Sequence, residues 1–96
     1  MEKLPQNLQT LFWSTDISKL DITKDAEMIV NRVLAYGNLD NLKWLFSTYG
    51  SEKIKNAFIN NPQNIYTKYT FNLIKNVLFD IPGHLIDEAK YVKNLY

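Results

Sequence analysis

Between Asp21 and Gly50 apolar residues fall at intervals of three and four, twice over, and each run closes on Tyr-Gly. That spacing is the period of an amphipathic helix with one face turned to a core. In the first run Ala26, Ile29, Val30, Val33 and Leu34 share a face, with Thr23 as the expected N-cap. Asp25 and Glu27 follow in the first turns, where carboxylates favour the positive end of the helix dipole. In the second run Leu39, Leu42, Leu45, Phe46 and Tyr49 form the stripe, while Trp44 projects from nearly the opposite side. This predicts a central helix packed on both faces. Gly37 and Gly50 are expected as helix stops in the left-handed region, which glycine enters without a Cβ clash.

The flanks carry shorter versions of the same pattern. Leu4, Leu8, Leu11 and Phe12 predict a short helix that opens on Pro5 and ends near Trp13. The Ser-, Thr- and Asp-rich residues 14–23 read as a turn with Ile17 and Leu20 pinned inward. After Gly50, Ser51 is the expected cap of a helix with Ile54, Ala57 and Phe58 inward and Lys53 and Lys55 outward. The asparagines around Pro62 break the chain. Thr67 then caps a helix whose apolar side is Thr70, Phe71, Ile74, Val77 and Leu78, with Lys68, Asn72, Lys75 and Asn76 opposite. Asp80-Ile81-Pro82-Gly83 ends it, and Leu85, Ala89, Val92 and Tyr96 are in phase for a sixth. No alternating run is long enough for a strand. The predicted fold is all-α: a single domain over residues 1–96, one compact bundle of five or six short helices.

Composition narrows the class. At 96 residues and 46% apolar, the chain is long enough to bury a core without help. It has no cysteine, so neither disulfides nor thiolate zinc sites are available. No apolar run has the length of a signal peptide or a membrane span, and the expected location is the cytoplasm, away from membranes. The net charge of +1 is unevenly spread. Residues 43–79 set Lys43, Lys53, Lys55, Lys68 and Lys75 against Glu52 alone. Such a segment suits a polyanion or an acidic protein partner. Arg32 is the only arginine, which argues against bidentate phosphate or base recognition as the main strategy.

Candidate chemistry is thin. Asp16, Asp21 and Asp25 straddle a turn and a helix start, where aspartate is favoured as a cap rather than as a ligand. His84 has Asp80 and Glu88 four residues to either side, the spacing of helix-face ion pairs. No glycine-rich loop, nucleophile elbow or metalloprotease motif is present, so neither an enzyme, a metal nor a cofactor is expected. Trp13 is expected in the core. Trp44, with Lys43 beside it, is the candidate anchor for a protein partner; Tyr66 and Tyr69 are further contact candidates. The Lys68, Asn72, Lys75 and Asn76 stripe has the look of an outward recognition-helix face, which gives DNA as the alternative partner.

Several segments carry a resemblance. They are Leu11-Phe12-Trp13 with Asp16, Leu20-Asp21 with Asp25, Ile29-Val30 with Arg32-Val33-Leu34 and Tyr36-Gly37, and Leu42-Lys43-Trp44-Leu45-Phe46 with Tyr49-Gly50. Together they resemble a little-characterised bacterial domain family over about the first 58 residues. Beyond them Asn60-Asn61 and Phe71-Asn72 stand where that family tends to carry a basic pair and Phe-Trp. Many of its members are taken to be antitoxin-like, because they accompany Abi-type nucleotidyltransferase toxins. The resemblance therefore implies a module that neutralises a cognate toxin by direct contact. A helix-turn-helix-like transcriptional regulator is the second expectation.

Overall fold

The computed structural model describes residues 4–13 and 15–93. The protein is all-α. Four α-helices, α1 (Ala26–Tyr36), α2 (Leu39–Tyr49), α3 (Ser51–Asn60) and α4 (Lys68–Asn72), are followed by a π-helical turn over Leu73–Leu78. Short 3-10 turns at Gln6–Leu11, Ile17–Lys19, Gly83–Leu85 and Glu88–Lys90 complete the described chain. No helix among the described residues is long and apolar enough to cross a membrane.

The helix at the centre is α1, not α2. Ala26, Ile29, Val30, Val33 and Leu34 are all buried, as their spacing predicts, and α1 packs against α3, α2 and the N-terminal 3-10 turn. Of the five stripe residues in α2 only Leu45 is fully buried; Leu42, Phe46 and Tyr49 are half-buried, and Leu39 is 68% exposed. The stripe of α2 thus meets the core at its middle and runs off it at its first turn.

The caps differ from expectation in detail. Asp21, rather than Thr23, closes the entry to α1: its carboxylate accepts the N–H groups of Thr23 at 2.8 Å and Lys24 at 2.9 Å. Asp25 answers by accepting the Asp21 N–H at 2.8 Å. A reciprocal pair also starts α2, where Asn38 and Asn41 each accept the other's backbone N–H at 2.9 Å. Thr67 caps α4 as expected, accepting the Thr70 N–H at 3.1 Å. Ser51 is the first residue of α3, with Gly50 in the cap position.

The two glycines are needed for different reasons. Gly50 has φ 83° and ψ 153°, a region closed to L residues, and turns the chain from α2 directly into α3. Gly37 is not left-handed; its φ is −74°. There the constraint is proximity, since a Cβ would lie 2.6 Å from the Val33 carbonyl oxygen and 3.0 Å from Asn41 Cβ.

Both ends of the described chain are irregular, and each sends side chains into the core. Leu4, Leu8, Leu11 and Phe12 point inward from a 3-10 turn rather than an α-helix, and Pro5 precedes that turn instead of lying in it. Gln9 stabilises the following loop by donating to the carbonyls of Phe12 and Thr15 and accepting the Ile17 N–H at 3.1 Å. Ile17 is buried and Leu20 packs beside it, as expected. Trp13 is not core: it is 67% exposed, lying over the outer side of α1 against Arg32 and Tyr36.

Among the described residues the expected C-terminal helix does not form. Pro82 and Gly83 interrupt the segment, and Leu85 and Ala89 are exposed; Tyr96 lies outside the described residues. Ile81 and Tyr91 fill the core instead. Tyr91 joins Phe58, Tyr66 and Phe71 in an aromatic cluster with ring centroids from 4.7 to 6.2 Å apart. A single parallel bridge seals it, with the Tyr66 N–H donating to Tyr91 O and the Lys93 N–H to Tyr66 O, both at 2.9 Å. Beneath the cluster Tyr66 donates its hydroxyl to buried Asn31 at 2.6 Å.

Candidate docking groove

The π-helical turn shapes a strongly apolar concavity. In an α-helix the backbone closes four residues on; here Phe79 donates to Ile74, five back, and Ile81 to Lys75, six back. The wider ring carries each later side chain backwards around the axis, out of the α-helical phase. Phe71 and Ile74 stay in the core. Val77 and Leu78, expected beside them, come out, and Val77 is 74% exposed. Tyr69, Leu73 and Val77, four residues apart, make an exposed apolar strip with Leu78 beside its end.

Behind the strip lies a groove of about 370 Å³. Leu34 and Ala35 from the end of α1, Gly37, and Leu42 of α2 form one wall; Thr70, Leu73, Ile74, Val77 and Leu78 form the other. Thr70 brings the one polar side chain among these lining residues. Such a surface offers no proton donor or nucleophile set for catalysis. It can bury apolar side chains of a partner, and an exposed apolar surface on a small protein marks an interaction site more often than chance.

Apart from Tyr69, the residues singled out from the sequence lie outside this strip and the lining of the groove. Trp44 is half-buried, packed against the core with its ring edge-on to Tyr49 at 6.3 Å, and Lys43 is exposed next to it. Tyr49 is held in turn by donating its hydroxyl to Ile22 O at 2.7 Å. Burial, with Asp21 and Asp25 nearby, pushes the Tyr49 phenol up to about 12. On the other side of the chain Lys68 and Asn76 are exposed, while Asn72 and Lys75 are half-buried. Lys75 Nζ donates to Asn76 Oδ1 at 3.3 Å. Of the remaining contact candidates, Tyr66 is buried and Tyr69 is 77% exposed.

The acidic residues act as caps. Asp16 accepts the Ser18 N–H at 3.0 Å and hydroxyl at 2.8 Å. Backbone hydrogen bonds hold the Asp16 and Asp21 carboxyls below their ordinary range. Asp80, His84 and Glu88 do not share a helix face, because two separate 3-10 turns replace the expected helix. Among the described residues no three His, Cys, Asp or Glu side chains are grouped to hold a metal ion. A second cleft of about 270 Å³ between α1 and α3 has Asn56, Asn60 and Asn61 among its lining residues, with Glu27 and Lys53 as its charged side chains.

Sequence reasoning named Tyr69 as a contact candidate but missed Leu73 and placed Val77 and Leu78 on the buried side. The available signal was the series Tyr69, Leu73, Val77, apolar at every fourth position on a different side from Phe71 and Ile74. No curated protein and no solved structure matches the chain significantly. A family model does match, over residues 8–58, which is more than half of the chain and takes in α1, α2 and most of α3. By that match the protein belongs to the DUF6922 family, a family of unknown function.

Proposed function

We propose that the protein is an antitoxin-like binding module that neutralises a partner toxin by direct contact, without chemistry of its own. The observation that carries this reading is the exposed apolar strip Tyr69, Leu73, Val77 and Leu78 at the mouth of a preformed groove. The groove seats an apolar segment of the partner. The resemblance to proteins accompanying Abi-type nucleotidyltransferase toxins names the partner class. Trp44 and Lys43 are supporting contacts at most, since Trp44 already packs against the chain's own core.

The test is co-expression with an Abi-type nucleotidyltransferase toxin from the same genome, scored as growth rescue. Leu73→Asp and Val77→Asp each place a charge where an apolar partner surface is to be buried, at a cost of about 2 kcal/mol or more in binding. Rescue is expected to fail in both variants while their melting midpoints stay near that of the parent. Full rescue by both would remove the groove from the function, and absence of rescue by the parent would remove the toxin.

A further inference from the structure

A second surface, built from other residues, combines an exposed tryptophan with two cations. The Arg32 guanidinium lies over Trp13 at 4.8 Å, with Phe12 at 5.6 Å and Tyr36 at 6.0 Å. Trp13 meets Tyr36 edge-on at 5.3 Å, and Lys93 Nζ sits 5.3 Å from the Tyr36 ring. The first helix, the N-terminal turn and the last described residue thus converge on one patch. Arg32 Nη1 donates to Leu11 O at 3.3 Å, and its buried Nε–H has no acceptor among the described residues. A guanidinium has five donors, and among the described residues the Leu11 carbonyl is the acceptor found for this one.

Pinning the N-terminal turn to α1 explains the bond to Leu11. It does not explain why Trp13 is left two-thirds exposed, or why Lys93 is drawn to the same aromatic ring. Tryptophan, tyrosine and arginine are the residues that anchor protein interfaces, and aromatic contacts hold this guanidinium in place before any ligand arrives. We propose that this patch binds an acidic peptide segment of a protein partner, with carboxylates on Arg32 and Lys93 and an apolar side chain on Trp13. Charge favours a peptide over a nucleic acid. The patch holds two cations, Arg32 and Lys93, which match one or two carboxylates of a peptide but not the continuous charge of a phosphate strand, whose binding rests on a series of lysine or arginine contacts.

Because Arg32 is the only arginine, its Nε–H gives a single, identifiable resonance, slowed in exchange by burial. Three probes are titrated into the isotope-labelled protein: a capped octapeptide of alternating Asp and Leu, its Asn and Leu counterpart, and oligothymidylate. The Asp peptide is expected to shift the Arg32 Nε–H and the Trp13 indole N–H saturably and to weaken with salt. Lys93→Gln, an exposed change that leaves the core intact, should lower its affinity several-fold, and Trp13→Ala by about tenfold. Equal binding of the Asn peptide would overturn the proposal by showing an apolar contact only. Tighter binding of oligothymidylate would make the patch a nucleic-acid surface instead, and no saturable shift with any probe would leave Arg32 a purely structural pin. Affinity unchanged in Lys93→Gln would equally reject the two-cation site.

Discussion

Tyr66→Phe removes one oxygen atom and should be among the more damaging conservative changes in this protein. Tyr66 and Asn31 are both fully buried, and the phenol donates to Asn31 Oδ1 at 2.6 Å. The amide nitrogen of Asn31 is committed separately, to Glu27 O at 2.9 Å and Asn61 O at 3.1 Å. The side chain therefore cannot flip to find another donor for Oδ1 without abandoning both carbonyls. Loss of the hydroxyl leaves that oxygen dry and unpaired, which costs about 1–3 kcal/mol. For a domain of this size each kcal/mol lowers the melting midpoint by about 4–8 °C. Denaturant unfolding of Tyr66→Phe should thus show a fall in stability centred near 2 kcal/mol. Tyr69→Phe, exposed and chemically identical, serves as the control and should stay within about 0.5 kcal/mol of the parent. Adding Asn31→Ala to Tyr66→Phe should cost less than the two single losses together, since they share one bond. A loss below about 0.5 kcal/mol for Tyr66→Phe would refute the view that this hydrogen bond is a dry, closed network.

Two further outcomes follow from the backbone and from the buried phenols. Gly50→Ala should lose about 1–3 kcal/mol from backbone strain alone, since no atom crowds the site; Gly37→Ala should lose a similar amount from overlap with the Val33 carbonyl, at an ordinary φ. Thermal melts check both, and an unchanged midpoint in either would reject its cause. Tyr91, which donates to Phe58 O at 2.6 Å, and Tyr49 both have phenols raised to about 12 in the folded state. Their contribution is complete below the unfolded value of about 10 and is lost as pH rises from there through about 12, because the unfolded chain gives up those protons first. Stability measured from pH 8 to 12 should be flat and then fall from near pH 10; an unchanged midpoint at pH 11 would contradict the burial of these hydroxyls.

Much of the fold was legible where period and burial coincide. The stripes of α1 and α3 repeat at helical spacing and every member is buried, so the pattern alone placed them. Thr67 and the aspartates announced themselves as caps for the same local reason: a short polar side chain satisfies nearby N–H groups whatever the tertiary context. Asn31 could not be read this way. A polar residue on a helix is ordinarily solvated, and only the distant Tyr66 and Asn61 make its burial affordable. The C-terminal segment misled for the opposite reason: Leu85, Ala89 and Val92 had the spacing of a helix, but Pro82-Gly83 and the fit of Tyr91 into the aromatic cluster decided the backbone. The groove was hidden because Val77 and Leu78 continue the phase of Phe71 and Ile74 on paper. Their exit depends on a change of helical pitch that residue types do not encode.

The bridge between Tyr66 and Val92 has a consequence for the order in which the molecule opens. α1, α2 and α3 follow one another in the chain and pack together as regular helices, each a cooperative unit in its own right. Tyr91 reaches Phe58 and Tyr66 from far along the chain and does so through an irregular backbone with no helical cooperativity behind it. Residues 81–93 should therefore act as a clasp on a three-helix kernel, their amide protons exchanging before those of α1 to α3. While the clasp is open, Phe58 and Phe71 lack their covering ring, and the kernel presents a sticky aromatic face. Any change that opens the clasp while the kernel stays folded should therefore favour self-association through that face.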